Sequence, residues 1–144
     1  MVYVDTSVLV PLFLNEPQSA AAGDWYAREK SELVAAAWCV PEFASALGIK
    51  QRTGAIDAQQ ASSAWERFER MVSADLRLLP VEPAHFLRAA QLVLDASSAL
   101  RAGDALHLAC AEAAGSKRMA TLDDVLGRNA QRLKLKLVGL RRVR

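Results

Sequence analysis

Histidine and cysteine are scarce, with two of each in 144 residues. Cys39 and Cys110 lie in apolar surroundings (AAAWCV and LHLACAEA), and neither has the spacing of a zinc site. Both read as reduced core thiols, which argues against a disulfide scaffold and a structural zinc module and sets the expected location as cytoplasmic. No apolar run approaches the ~20 residues needed to cross a bilayer, so no membrane partner is expected. The first residues lack a basic segment ahead of a long apolar one, and Asp5 interrupts them, so a secretory signal is not expected either. There is also no internal repeat, low-complexity tract or Gly/Ser-rich linker. What remains is ordinary globular composition, 52% hydrophobic and 24% charged, and a length that fits a single domain over residues 1–144.

The net charge of +2 hides an asymmetry. Residues 117–144 hold nine Lys or Arg against Asp123 and Asp124, a balance of +7, which leaves the first 116 residues at −5. A basic end on an acidic body offers an anionic polymer such as nucleic acid one attractive surface; a solvated tail explains the same charge equally well.

Short apolar runs alternate with helical patterns. The chain opens MVYVDTSVLV, in which β-prone residues end at Asp5. The next candidates are a helix over 17–30, a strand at 33–38 (LVAAAW), and a helix over 41–52 that Thr53-Gly54 stops. The clearest amphipathic helix runs over 57–72, where Ala61, Ala64, Trp65, Phe68, Met71 and Val72 form one stripe. A strand at 76–80, helices over 83–94 and 103–115, a strand at 118–121, a helix over 124–133 and a strand at 136–140 complete the pattern. Strands separated by helices imply an α/β fold: a short parallel sheet with right-handed crossovers and helices on both faces. In such sheets ligands bind beyond the carboxyl ends of the strands, near the point where strand order reverses.

That rule selects four acids. Asp5 ends the first strand; a desolvated carboxylate there must be a helix cap reaching water or part of a site. Glu42 opens the helix after the second strand, where the helix dipole alone would favour it. Its apolar neighbours Cys39, Val40, Phe43 and Ala44 point to partial burial. Asp104 heads the buried helix GDALHLACA and can either cap it or project past the strand ends. Asp123 and Asp124 follow the strand RMAT, with Asp123 the better candidate for the rim and Asp124 for a cap or solvent acid. Four strand-to-helix junctions thus deliver carboxylates to one edge. Converging anions raise one another's pKa unless a cation joins them, and an oxygen-only set suits Mg²⁺ or Mn²⁺. His107, three residues after Asp104, reads as a partly buried packing residue. Trp25, Tyr26, Trp65 and Phe68 read chiefly as core.

VDTSVL, the Glu42 helix, LRAGDALHLACA and TLDDVLGRNAQRLKL together resemble a PIN domain, and more narrowly the VapC-type ribonuclease toxins of toxin–antitoxin pairs. The resemblance implies a three-layer α/β/α sandwich around a short parallel sheet. It also implies a Mg²⁺- or Mn²⁺-dependent endoribonuclease that cuts single-stranded regions of RNA and leaves a 5′-phosphate and a 3′-hydroxyl. Asp5, Glu42, Asp104 and Asp123 match that family's catalytic and metal-binding acids, and Thr6 or Ser7 matches a hydroxyl near the metal. Gly103 departs from the pattern, standing where proline is frequent, and Asp124 adds an acid. The implied partners are RNA, a second copy of the chain and a VapB-like antitoxin that covers the acidic cleft.

Three rivals predict other features. A haloacid-dehalogenase-like phosphatase needs a second Asp two residues after the first, where this chain has Ser7. A catalytically silent PIN domain would bind RNA or a partner without cutting it. A plain α/β scaffold would use every acid as a cap.

Overall fold

The computed structural model describes residues 1–140; Arg141, Arg142 and Arg144 of the basic end lie outside them. The elements follow in the order β1 (Val2–Val4), α1 (Thr6–Phe13), α2 (Ser19–Arg28), β2 (Leu33–Ala36), α3 (Cys39–Arg52), α4 (Ala58–Ala74), β3 (Leu76–Leu79), α5 (Pro83–Leu94), α6 (Ala102–Ala113), β4 (Arg118–Ala120), α7 (Asp124–Arg132) and β5 (Lys136–Leu137). The five strands pair in parallel in the order β3-β2-β1-β4-β5. The chain moves one way from β1 to β2 and β3, then crosses back to β4 and β5. A right-handed crossover puts the helices of these two movements on opposite faces. One layer accordingly contains α1 to α4, the other α5 to α7.

The strands divide their side chains accordingly. Val2, Val4, Leu33 and Ala35 enter the core beneath α1 to α4; Tyr3, Val34 and Ala36 enter the one beneath α5 to α7. This period of two, with both faces buried, explains why the strands are short unbroken apolar runs. The first core is anchored by Phe43 of α3 stacked on Phe68 of α4, with ring centroids 4.3 Å apart. Asp57 caps α4 by accepting from the Gln60 N–H at 2.7 Å, while the Gln60 side chain accepts from the Asp57 N–H. After α3 and α6 the chain reverses at Gly54 and Gly115, both at positive φ.

Two local expectations change. The 33–38 run leaves the sheet at Ala36, and α3 starts at Cys39, with Pro41 in a first turn where its missing N–H costs nothing. The stretch after Asp5, a helix only under the cap alternative, is helical despite Pro11 in its second turn. Among the described residues no helix is long and apolar enough to cross a membrane.

Phe68 is 1% exposed. Phe68→Ala is expected to destabilise the fold by ~3–5 kcal/mol in urea titrations; a loss below ~1 kcal/mol would show that the stacked pair does not anchor this layer.

Candidate active site

The strand order reverses between β1 and β4, and Asp5 sits at that reversal. Its N–H donates to the Ala120 carbonyl at 2.9 Å, which joins the two strand ends. The side chain is buried, and one oxygen, Oδ2, accepts from Ser7 Oγ at 2.6 Å and Thr121 Oγ1 at 3.0 Å. Those hydroxyls are fixed in turn: Ser7 Oγ accepts from the Leu122 N–H at 2.9 Å and Thr121 Oγ1 from the Asp123 N–H at 3.1 Å. Asp5 also caps α1, through a longer contact from the Ser7 N–H at 3.4 Å. Cap and rim carboxylate were alternatives in the sequence; here they coincide, because capping uses Oδ2 and leaves Oδ1 facing inward.

Oδ1 faces His107, whose Nε2 is 3.6 Å away. The same Nε2 lies 2.5 Å from Glu42 Oε1, which also accepts from Thr6 Oγ1 at 2.7 Å. The Trp38 indole also favours the ionised form of Glu42. On its other side His107 Nδ1 is 2.7 Å from the Tyr3 hydroxyl, which accepts from the Ala36 N–H at 3.0 Å. Burial alone would raise the Glu42 carboxyl, but the hydrogen bonds and charge of His107, with Thr6 and Trp38, hold it below its ordinary value. Burial disfavours a charged His107, yet the Glu42 hydrogen bond and the charges of Asp5, Glu42 and Asp104 outweigh it and raise its pKa. The packing residue expected from the sequence is therefore fully buried and bonded at both nitrogens.

Asp104 lies in the first turn of α6, one helical turn above His107. Burial, then the charges of Asp123, Asp5 and Glu42, push its carboxyl up to about 6 against the lowering effect of His107. The other three expected acids therefore all act on Asp104. Asp123 also caps α7, Oδ1 accepting from the Leu126 N–H at 2.8 Å, while Asp124 begins the helix in solvent. Of the two, Asp123 is the one that acts on Asp104, and it also supplies the cap, while Asp124 is the solvent acid that was its alternative.

Sequence reasoning missed Tyr3, Trp38, Thr121 and the bonding of His107. The signal for His107 was its place three residues after Asp104, on the same face of α6. Tyr3 and Thr121 gave none, since a strand tyrosine and a strand-end threonine are common anywhere.

The donors here are carboxylate and hydroxyl oxygens, and both nitrogens of His107 are already engaged. Mutual repulsion at Asp104 is what a hard divalent cation would relieve, so the residues fit such an ion. Among the described residues no group of three His, Cys, Asp or Glu is placed to hold one unaided, so water would have to complete its shell.

Among the described residues, the cations of the basic C-terminal segment do not share one surface. Arg118 and Lys136 are partners at the starts of β4 and β5, on the edge opposite the acids, and Arg118 pairs with Glu29 at 2.9 Å. Arg128 alone of the described cations lines the groove of about 730 Å³ that also contains Thr121, Asp123 and Asp124.

The family model for the PIN domain matches residues 2–131. No curated protein sequence matches. Among solved structures, the fold is similar to VapC20 of Mycobacterium tuberculosis, a sarcin-ricin loop cleaving toxin. That match has a TM-score of 0.73 at 15% identity and covers 90% of this chain and 95% of that one. It is also similar to FitAcB from Neisseria gonorrhoeae (0.73, 18%, 97% and 98%) and to FitAB bound to an IR36 DNA fragment (0.70, 18%, 97% and 95%).

Asp104 titrates near 6 when folded and near ~3.9 when unfolded. Between those values the folded state holds the extra proton, so this group lowers stability as pH rises through the window. In metal-free buffer Asp104→Asn is therefore expected to melt above wild type at about pH 7.5, with the gap closing towards about pH 4. A gap that stays constant, or a variant that melts lower at both, would contradict the repulsion.

Proposed function

The chain belongs to the PIN domain family, and on that footing we propose that it is a metal-dependent endoribonuclease cutting single-stranded regions of RNA. One observation carries the reading: Asp5 Oδ1 and Glu42 Oε1 meet at Nε2 of the buried His107, at 3.6 and 2.5 Å, with Asp104 one turn before it on the same helix. Burial and the charges of Asp123, Asp5 and Glu42 raise the Asp104 carboxyl, a cost that a cation-binding site explains and four independent caps do not.

Asp5, Glu42, Asp104 and Asp123 are the residues that would hold Mg²⁺ or Mn²⁺, with water completing the shell. When bound, such an ion offsets charge on a phosphate oxygen and activates a water for in-line attack. The chain's own contribution is orientation. Ser7 and Thr121 pin Oδ2 of Asp5, which aims Oδ1 into the cleft. Thr6, His107 and Trp38 restrain Glu42. Arg128 borders the cleft where an RNA backbone would leave it, a contact expected to weaken with salt. Ser7 bonded to Asp5 also disfavours the phosphatase rival, which needs an acid there.

The biological reading is the toxin of a type II toxin–antitoxin pair, acting as one domain and restrained by a VapB-like antitoxin. The likeness to VapC20 and FitAcB supports it. So does a cleft of carboxylates suited to an arginine fork from such a partner. A homodimer belongs to the same reading, supported by the exposed apolar side chains of α5, Phe86, Leu87, Val93 and Leu94.

Labelled structured RNAs are expected to be cut with Mg²⁺ or Mn²⁺ and spared with EDTA. Asp5→Asn and Asp104→Asn are each expected to lose roughly 10²-fold or more in rate. Wild-type cutting by purified Asp104→Asn would rule out the site, and RNA binding without cutting by wild type would favour the silent domain. Growth arrest on expression, relieved by co-expressing the neighbouring gene, tests the toxin assignment.

A further inference from the structure

The one buried imidazole at the rim does more than restrain Glu42 alone. His107 is 0% exposed, and it joins three elements that deliver acids. Nε2 meets Glu42 Oε1 at 2.5 Å and lies 3.6 Å from Asp5 Oδ1; Nδ1 meets the Tyr3 hydroxyl at 2.7 Å. We propose that His107 is a positioning residue: its Nε2–H clamps Glu42 beside Asp5, and Tyr3 braces the ring from behind, so that the carboxylates converge before any cation arrives. The inference rests on the nuclease reading for its purpose, though not for its geometry.

The hydrogen positions follow from the partners. Glu42 Oε1 is a carboxylate oxygen and only accepts, so Nε2 must carry the hydrogen. The Tyr3 oxygen already accepts from the Ala36 N–H, leaving its own hydrogen free to donate to Nδ1. If Nδ1 gains a proton, the tyrosine oxygen can accept it instead. The Nε2–H donor therefore persists in either state of the ring, and the clamp does not depend on which one holds. Ala36 ends β2, and Tyr3 is two residues before Asp5 on β1, so the brace is anchored in the sheet itself.

The arrangement also gives Gly103 a role. A Cβ there would come within 3.3 Å of Glu42 Oε2 and 3.6 Å of Trp38 Nε1. Glycine at this position therefore leaves Oε2 its room beside α6, while His107 and Thr6 hold Oε1.

Two measurements test the clamp. In metal-free protein, proton NMR is expected to show a His107 Nε2–H resonance far downfield and protected from exchange, which shifts upfield in Glu42→Gln. Absence of that resonance in wild type would overturn the proposal. Mn²⁺ binding by calorimetry is expected to weaken about tenfold to a hundredfold in His107→Leu, as for other residues that orient metal ligands. His107→Gln, whose amide can donate near the Nε2 position, is expected to recover most of that loss, and Tyr3→Phe to lose less than His107→Leu. Circular dichroism checks folding; should His107→Leu fail to fold, the Gln and Tyr3→Phe variants read the same comparison. Wild-type affinity in a folded His107→Leu protein would overturn the proposal. A protected Nε2–H in a wild-type protein that neither binds Mn²⁺ nor cuts RNA would sustain the clamp while sinking the nuclease reading.

Discussion

Carboxylates gathered in a half-buried cleft repel one another, and the construction of this rim is a response to that repulsion. Two unit charges ~4 Å apart at the effective dielectric of a protein surface interact by about 4 kcal/mol. The chain offsets part of this with donors supplied from its own elements. Asp5 takes hydroxyls from α1 and the end of β4, and Glu42 takes a hydroxyl, an imidazole and an indole. Asp104 is left with burial and its neighbours' charges, and its carboxyl is the one raised to about 6.

The fold helps in a second way. Glu42, Asp104 and Asp123 stand at the starts of α3, α6 and α7, where unpaired N–H groups favour negative charge. A parallel sheet sends β2 and β4 into α3 and α7 at the same edge, and α6, which follows α5, brings a third helix N-terminus and its acid to them. The reversal of strand order between β1 and β4 then opens the space they share. The cores on either face, one centred on Phe43 and Phe68 and the other around Tyr3 and Leu108, provide the burial that lets the rim remain under electrostatic stress.

Among the described residues no lysine or arginine pairs with Asp5 or Glu42; the salt-bridge partner of both is His107. Arg118 is drawn to Glu29, and Lys136 starts β5 on the far edge. An acid rim whose internal counter-charge is a single buried histidine stays available to an external cation, whether a metal ion or a partner's arginine, which is the feature the proposed function uses.

Much of this was legible in the chain alone. Apolar runs bounded by helical patterns specify a parallel α/β sheet, and an acid after each of β1, β2 and β4, with another opening α6, specifies which edge matters. These features are local, written in hydrophobic period and in the residue types at junctions. The length of β2, the helix that continues through Pro11, and the coincidence of cap and site at Asp5 were not legible, because each depends on what packs against it. His107 is the sharpest case. Its neighbours in sequence are apolar and mark it as core, yet its partners Glu42 and Tyr3 lie 65 and 104 residues away. Local sequence determined which carboxylates reach the rim; only the tertiary structure decided what holds them there, since the donors come from strands and helices that meet solely through the fold.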